Sequence, residues 1–328
     1  MLLRALLENA SPGGAYGRIS VLILHRVLPE IDPLFPEEVD ASSFDALCGW
    51  LHEWFNVLPL DDAVARWKQG SLPSRALAIT FDDGYADNHE VALPILNRHG
   101  LTATFFIATG FLDGGRMWND TIIEAVRRTP GRIIDLCSVQ PLGLGLVDVS
   151  STAARRRTID VILARVKYLP AGEREAVADA VAEAAGCELP RGLMMTSADV
   201  HALRAAGMTI GAHTVTHPIL ARLPSDGARR EILNSRQALE AILGERVGLF
   251  AYPNGKPGRD FTKMHAAMVG EAGFDAAFST AWGSVGPSTP AFEIPRFTPW
   301  DRSRFRFGLR MLSNLRRPAC AGLNSDVV

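Results

Sequence analysis

The sequence has few cysteines, and none of them are clustered. Four occur in 328 residues, at Cys48, Cys137, Cys187 and Cys320, and no two of them form a C-x-x-C pair. Zinc knuckles and thioredoxin-like redox sites are built on such closely spaced pairs, so neither is indicated. Scattered cysteines are typical of reduced thiols in a reducing compartment, although the count leaves two disulfides open.

The sequence also lacks a long hydrophobic run. The N-terminal stretch M-L-L-R-A-L-L-E is interrupted by Arg4 and Glu8. A secretory signal needs a longer unbroken apolar region, and a membrane span needs about 20 apolar residues. We expect residues 3–9 to form a short amphipathic helix that packs on the domain, with contact to a membrane surface as the alternative. A cytoplasmic location is therefore predicted, and a periplasmic or membrane-associated one stays open.

An excess of charge of one sign is missing as well. The 34 Lys and Arg residues nearly balance 36 Asp and Glu residues, which leaves a net charge of -2. Such a chain has no broad electrostatic attraction for nucleic acid, so we expect no nucleic-acid partner. The 47% hydrophobic and 21% charged residues are proportions typical of a globular enzyme.

Short, mostly apolar runs alternate with helical patterns along most of the chain. Strands are predicted at 20–24, 76–81, 102–108, 208–212, 248–252 and 274–278. Runs that are apolar on both faces are typical of strands buried in a parallel sheet. Helices are predicted between them, at 43–55, 196–206, 225–243 and 262–272. This alternation predicts an α/β fold, either a βα barrel or an open doubly wound sheet.

Residues 111–195 interrupt the alternation with two polar helical patterns, at 152–168 and 172–186. Because the strand pattern resumes afterwards, we interpret this region as a helical insertion within one domain that spans residues 20–300. Residues 1–19 then form an N-terminal extension. Residues 301–328 form a basic amphipathic tail, which we expect to dock as a terminal helix, with a peripheral membrane or partner contact as the alternative.

Two adjacent carboxylates end the apolar strand in A-I-T-F-D-D-G-Y, at Asp82 and Asp83. The carboxyl end of a parallel strand is where α/β folds place catalytic groups. Neighbouring side chains point in different directions, so one carboxylate can bind a metal while the other acts as a base. A helix N-cap with a turn glycine is the structural alternative, but the buried strand before the pair favours function.

A second polar segment, I-G-A-H-T-V-T-H-P, follows another predicted strand and carries His213 and His217. On a helical turn, imidazoles four residues apart share a face and can reach one ion. Two histidines and a carboxylate leave coordination positions open for water and substrate. The two segments together predict a catalytic site with one divalent metal. A phosphoesterase is disfavoured, because that chemistry usually needs more ligands or two ions.

T-F-D-D-G-Y followed by H-T-V-T-H-P resembles the polysaccharide deacetylase family, also called the NodB-homology or carbohydrate esterase 4 family. The resemblance covers roughly residues 21–297. It implies a distorted (β/α)7 barrel that removes N-acetyl groups from an N-acetylated carbohydrate with one divalent metal ion, usually Zn²⁺. It further implies Asp82 as the catalytic base, and Asp83, His213 and His217 as the metal ligands.

The third motif of the family corresponds to F-A-Y-P-N-G, residues 250–255. It implies that the backbone N–H of Asn254 serves the oxyanion, while Tyr252 and Pro253 shape the wall of the substrate groove. The family often has an arginine that steadies the base at the position of Ala251, and a tyrosine at that of Asn254. Our candidate for the missing arginine is Arg296, in I-P-R-F, with a purely structural arginine as the alternative.

The usual general acid of the family, a histidine near the end of the domain, has no counterpart after His265. The segment L-H-R-V at 24–27 resembles instead the Y-H-R-V of the exopolysaccharide deacetylase branch, in which the barrel order is permuted. This implies His25 as the acid, with a core histidine as the alternative. Trp118 is predicted to border the substrate groove, although core packing is the commoner role.

The branch resemblance implies a role in exopolysaccharide biosynthesis and contact with the polysaccharide-synthesis machinery. Two alternatives stay open at this point. One is an amide hydrolase of a lipid-linked or peptidoglycan sugar. The other is a non-catalytic carbohydrate-binding barrel, which the four intact central residues disfavour.

Overall fold

The computed structural model describes residues 2–299 and 301–317, which group into two compact units. The first unit takes the described parts of Met1–Pro29, Val39–Asp113 and Met195–Val328. The second takes Glu30–Glu38 and Gly114–Met194. The second unit thus includes Glu30–Glu38, which the sequence pattern did not assign to the helical insertion.

The strands of the described chain are, in order, β1 (Ile19–Leu24), β2 (Asn56–Val57), β3 (Ala76–Phe81), β4 (Thr104–Ile107), β5 (Ile133–Asp135), β6 (Leu146–Asp148), β7 (Thr209–Ala212), β8 (Leu249–Ala251) and β9 (Ala276–Phe278). Its α-helices are α1 (Leu2–Ala10), α2 (Ala41–Trp54), α3 (Leu60–Gln69), α4 (Leu93–Arg98), α5 (Trp118–Arg128), α6 (Thr152–Val166), α7 (Ala171–Ala185), α8 (Ser197–Ala205), α9 (Ser225–Leu243), α10 (Lys263–Glu271) and α11 (Arg304–Arg316). A π-helix (Asn88–Ala92) leads directly into α4.

One parallel sheet forms the centre of the first unit. Its strand order is β1-β3-β4-β7-β8-β9, with β2 beside β3. After β9, the chain returns along both outer strands, where Ile294 bridges Phe278 of β9 and Phe297 bridges Leu22 of β1. The sheet therefore curls into a distorted βα barrel, as the resemblance implied, with an irregular segment between its first and last strands.

Side chains pack against both faces of this sheet. Neighbouring residues of a strand point to opposite faces, and Phe105 and Phe106 of β4 show this directly. Phe105 stacks on Phe81 at 4.9 Å between ring centroids, in the larger apolar cluster, which includes helix residues such as Phe44. Phe106 meets Phe278 at 5.4 Å in a separate cluster. Burial on both faces explains why the strands are apolar at nearly every position.

Local sequence signals account for the boundaries of several elements. The segment T-S-A-D caps α8 through a capping box between Thr196 and Asp199. Gly244 ends α9 in the left-handed conformation, with φ +69°. The helices α3 and α5 were not predicted, and neither has a side-chain hydrogen bond at its N-cap. Without a start signal, their short apolar patterns were not recognised.

The second unit contains α5, α6, α7 and the antiparallel pair of β5 and β6 around a core of its own. Ile122, Ile159 and Val181 come from the three helices of this core. Asp32, in the N-terminal segment of the unit, accepts hydrogen bonds of 2.9 and 2.6 Å from the Arg127 guanidinium. The helices predicted at 152–168 and 172–186 correspond to α6 and α7.

The terminal helices α1 and α11 pack on each other in the first unit. Phe307, Met311 and Leu315 of α11 are fully buried, so the helix is docked as expected. Residues 318–328 of the predicted tail lie outside the described residues, as does Cys320. The described cysteines, Cys48, Cys137 and Cys187, are free. None of the described helices has the length and apolarity needed to cross a bilayer.

Candidate metal centre and active site

The carboxyl ends of β3 and β7 bring the predicted metal ligands together. Asp83 follows β3, His213 follows β7, and β4 lies between these strands in the sheet. The Asp83 Oδ1 lies 3.4 Å from the Nε2 of His213 and 3.3 Å from the Nε2 of His217. The three donor atoms all lie within 4.8 Å of one another. Two segments that are far apart in sequence therefore converge on one point.

A tight left-handed turn carries Asp83 out of the strand. Asp83 has φ +77° and Gly84 has φ +93°. A Cβ at Gly84 would also lie 3.3 Å from the Ile107 side chain, so glycine suits this position on two counts. A non-glycine residue in the left-handed region costs of order 1–3 kcal/mol. The fold tolerates this cost at the residue that presents the carboxylate to the histidines.

The two histidines lie on an irregular loop, not on the helical turn that the sequence predicted. Thr214 has φ +65° and His217 has φ +52°, which no α-helix contains. The loop is held from one side by the chain after β4, where the N–H groups of Thr109 and Gly110 donate to the carbonyls of Thr214 and Val215. The helical explanation of the four-residue spacing was therefore wrong, because the imidazoles converge through loop geometry.

Glu231 of α9 holds the same loop from the other side. Its Oε2 accepts hydrogen bonds of 2.8 and 2.9 Å from the N–H groups of Val215 and Thr216, and its Oε1 accepts one of 2.8 Å from the Thr216 hydroxyl. Sequence reasoning missed this residue. It lies in the middle of a regular amphipathic helix, where an acidic residue carries no local signal of such a role.

These side chains fit a divalent cation. The Nδ1 of His213 lies 2.8 Å from the Ala251 carbonyl oxygen, which can only accept, so Nδ1 carries the proton. The lone pair of Nε2 then faces Asp83, whose buried Oδ1 has no hydrogen-bond partner among residues 2–299 and 301–317. Donors that surround a tetrahedral zinc ion at about 2.0–2.2 Å are separated by roughly 3.4 Å. Converging lone pairs at this separation are the arrangement that a metal ion stabilises.

For His217 and Asp83, the charges at the site favour the protonation states that metal ligands need. Burial lowers the pKa of His217 to about 4, although Asp83 opposes the shift, so this imidazole is neutral at neutral pH. Burial disfavours the Asp83 carboxylate, but His217 and His213 outweigh it and lower its pKa. Burial also acts against a charged His213, yet Asp82 and Asp83 raise its pKa. The acidic pair thus favours a positive charge at this point.

Arg296 holds the Asp82 carboxylate with two short hydrogen bonds. Its Nη1 and Nη2 each lie 2.6 Å from a carboxylate oxygen, and its Nε donates to the Ser279 carbonyl at 3.1 Å. Its Nη1 also donates to the Thr80 hydroxyl at 3.2 Å. The guanidinium is fully buried. Burial raises the pKa of Asp82, but Arg296 and then His213 outweigh burial and lower it, so Asp82 stays ionised.

His25 and Asn254 lie at the ends of two further strands of the barrel. His25 is exposed and directly follows β1. His25 lies within electrostatic reach of Asp82 and Asp83. Asn254 follows β8 with φ +58°. Within residues 2–299 and 301–317, no acceptor for its backbone N–H is observed.

The structure corrects the position expected for Tyr252. Its ring is only 1% exposed, stacks on Phe261 at 3.7 Å, and its hydroxyl donates to the Phe292 carbonyl. Tyr252 is therefore a core residue, and its side chain does not line an open groove. Pro253 is likewise buried. The local pattern showed only that these residues follow a strand, and could not show which way their side chains turn.

Trp118 lies in the second unit, where it begins α5. Its ring is half-buried, and the Arg174 guanidinium lies over it at 5.4 Å. This contact is a packing interaction within the unit. A role for Trp118 beside the substrate stays a prediction.

A model of one protein family, described as polysaccharide deacetylase, matches residues 69–130 and 171–276, together just over half of the chain. The chain belongs to the polysaccharide deacetylase family. Members of this family act as carbohydrate de-N-acetylases. A curated relative, YxkH of Bacillus subtilis (strain 168), whose name assigns it to the polysaccharide deacetylases, is 38% identical over 71 residues. That match spans 21% of this chain and only 25% of the relative.

Solved structures of the family have a similar fold. The Streptococcus pyogenes deacetylase PplD, in complex with acetate, has a TM-score of 0.58 at 16% identity, over 86% of this chain and 92% of that one. IcaB from Ammonifex degensii has a TM-score of 0.57 at 15% identity, over 94% and 99%. The BpsB deacetylase domain from Bordetella bronchiseptica has 0.53 at 17%, over 88% and 97%. At such identities the similarity shows the fold alone.

Proposed function

We propose that this protein is a metal-dependent carbohydrate N-deacetylase that acts on an amino-sugar polymer or oligosaccharide in exopolysaccharide biosynthesis. One observation carries the proposal: Asp83, His213 and His217 converge beside Asp82, an ionised carboxylate that Arg296 holds in place. A base next to a cation site is the arrangement that hydrolysis of an amide requires. The exopolysaccharide context is supported by the L-H-R-V segment at 24–27.

The proposed reaction breaks the C–N bond of an acetamido group and forms a C–O bond to water. A divalent cation, for which we propose zinc, would be held by Asp83, His213 and His217 and would supply Lewis-acid activation of the acetyl carbonyl and of the water. Asp82 accepts the proton of the attacking water. The Asn254 N–H donates to the oxyanion. His25 gives a proton to the leaving nitrogen, and the products are acetate and a free amino sugar.

The proposal is tested by measuring acetate release from N-acetylated oligosaccharides, with and without a chelator. We expect the wild type to release acetate and the chelator to stop it. The variant Asp82→Asn should lose most activity while keeping bound zinc, and His213→Ala should lose both. His201→Ala serves as the matched control, because that histidine is exposed on α8. Chelator-insensitive release, or full activity in Asp82→Asn, contradicts the mechanism.

The substrate is tested by the panel of glycans. We propose a polymer of the exopolysaccharide type, so oligomers of N-acetylglucosamine should react faster than peptidoglycan fragments or lipid-linked N-acetylated sugars. A preference for either of the latter would favour the corresponding amide hydrolase. Glycan binding without acetate release from any of the three would favour a carbohydrate-binding barrel.

We also propose that the exposed face of α11 makes a peripheral contact with an anionic membrane surface. Phe305 is 74% exposed and Leu309, one turn later, is 48% exposed. Arg306 and Arg316 are exposed on the same helix. Aromatic and aliphatic residues among arginines suit an anionic lipid surface. Sedimentation with phosphatidylglycerol vesicles tests the contact, which Phe305→Ser should weaken and phosphatidylcholine vesicles should not support. The cytoplasmic location stays a prediction that cell fractionation tests.

A further inference from the structure

The side chains of Asp87 and Asn88, which follow Asp82 and Asp83 in the chain, form hydrogen bonds with the segment that carries His25. Asp87 accepts a hydrogen bond of 3.0 Å from the Val27 N–H on its Oδ1 and one of 2.8 Å from the Arg26 Nε on its Oδ2. The Nδ2 of Asn88 donates to the His25 carbonyl at 2.9 Å. Residues 25, 26 and 27 are thus each hydrogen-bonded to Asp87 or Asn88.

These hydrogen bonds hold the chain just beyond the end of β1, where the hydrogen bonds of the sheet stop. β1 ends at Leu24, whose carbonyl accepts a hydrogen bond of 2.9 Å from the Asp82 N–H. His25 itself is exposed and lies just beyond the strand. Its direction therefore depends on the contacts of the next few residues, and Asp87 and Asn88 supply them.

Asp87 and Asn88 are themselves buried and contact each other. Asp87 is 5% exposed and Asn88 is fully buried. The Asn88 Nδ2 also lies 3.2 Å from the Asp87 Oδ1, which links the two side chains. Asn88 begins the π-helix, a conformation that occurs frequently at functional sites. Only a few residues separate this pair from Asp83, so one short stretch of chain connects the metal centre with the His25 segment.

We propose that Asp87 and Asn88 are positioning residues, which hold His25 where its imidazole delivers a proton to the leaving nitrogen. The inference rests on the proposed deacetylase function and assigns a task to residues outside the family motifs quoted above. Neither residue touches substrate. Both act through the backbone that carries the acid.

The chemistry of the leaving group separates this role from a merely structural one. An amine leaves an acetamide only when a proton reaches its nitrogen, so amide hydrolysis depends on a well-placed acid. A 4-nitrophenolate leaves an acetate ester without protonation. If His25 is misplaced, hydrolysis of the amide should therefore slow while hydrolysis of the ester stays nearly unchanged. A general loss of folding or of metal would slow the hydrolysis of both substrates.

The experiment compares Asp87→Asn and Asn88→Ala with the wild-type enzyme on two substrates, an N-acetylglucosamine oligomer and 4-nitrophenyl acetate. We expect kcat/KM for the oligomer to fall roughly 10- to 100-fold, because a misplaced acid loses much of its contribution. The value for the ester should change by less than about threefold, since its leaving group needs no acid. Asp62→Asn, which removes the surface ion pair with Arg66, serves as the control and should change neither value.

A second measurement places the same variants in the His25→Ala background. If they act through His25, each should lower the remaining amide activity by less than about twofold, because coupled residues are not additive. Equal losses on both substrates, or a full additional loss without His25, would overturn the positioning role and leave the deacetylase function intact. A wild-type enzyme that hydrolyses the ester but no N-acetylated sugar would overturn the proposed function and this inference with it.

Discussion

At the scale of single residues, the pairing of Arg296 with Asp82 decides the state of the proposed base. A buried carboxylate without a partner would tend to take up a proton and lose its function as a base. Two parallel hydrogen bonds from one guanidinium keep the Asp82 carboxylate both ionised and oriented. In the resembling family the steadying arginine often occupies the position of Ala251, so this chain has the same charge in a different place.

The variant Arg296→Lys tests this pairing. Lysine keeps the positive charge but cannot form both short bonds in one plane. We expect kcat/KM for acetate release to fall about tenfold or more, with zinc affinity close to that of the wild type. Arg229→Lys, in an exposed pair with Glu271, is the matched control. Wild-type activity in Arg296→Lys would show that charge alone suffices.

At the scale of elements, the loop after β7 depends on the helix α9. The imidazoles of His213 and His217 converge only if Thr214 and His217 keep their left-handed conformations. The Glu231 carboxylate satisfies two consecutive N–H groups of this loop and so favours that conformation. Groups that orient metal ligands commonly change metal affinity about 10- to 100-fold when they are altered.

Glu231→Gln should therefore weaken zinc binding about tenfold. The amide can still accept one hydrogen bond, but it loses the charge that strengthens the bonds to Val215 and Thr216. Competition with a chromogenic chelator measures the affinity without reference to activity. Glu271→Gln is the control, since it removes an exposed acidic partner of α9 that does not contact the loop. Unchanged zinc affinity in Glu231→Gln would contradict the assigned role.

In the second unit, the ion pair between Asp32 and Arg127 should make the stability of the fold depend on pH. Burial raises the pKa of Asp32, but the Arg127 guanidinium outweighs this and lowers it below 3.8. A carboxyl group whose folded-state pKa is depressed stabilises the fold above its unfolded-state pKa, which is about 3.9. That stability is lost as the pH falls through the lower, folded-state value.

Asp32→Asn should consequently be less stable than the wild type at pH 7, and the difference should shrink as the pH falls from about 4 toward 2. Urea denaturation at several pH values measures the free energy of unfolding of both proteins. Asp160→Asn, which removes an exposed partner of Arg156, should show a much smaller difference at pH 7. A stability difference for Asp32→Asn that is independent of pH would show that the ion pair is not its source.

At the scale of the whole molecule, the candidate metal centre joins loops that follow separate strands. An ion that binds the folded chain and not the unfolded one adds stability, about 2.7 kcal/mol at a concentration one hundred times its Kd. We expect zinc to raise the melting temperature of the wild type and a chelator to reverse the change. Asp83→Asn should remove the response, while His201→Ala should keep it. An equal melting temperature with and without zinc would argue against the site.

Much of the barrel could be predicted because its information is local. Strands buried on both faces are apolar at nearly every position, and all six residues of β3 are buried. The capping box of α8 lies within four residues. The polar segments that end β3 and β7 stand out against this pattern. No comparable local signal marks α3 and α5, which have no side-chain hydrogen bond at the N-cap. None marks the segment around Asp32 as part of the second unit.

The sequence by itself determined six strands of the parallel sheet, most helices and the two polar segments, because periodicity and capping act between residues a few positions apart, whereas the short strands β2, β5 and β6 were not predicted. The tertiary structure decided the left-handed residues in the loop of the histidines, the burial of Tyr252 and the partners of the proposed catalytic groups. Arg296 and Asp82 are 214 residues apart, and Asp87 and Val27 are 60 apart. Such contacts depend on which strands become neighbours and on how a side chain turns at a strand end, and no local pattern encodes either.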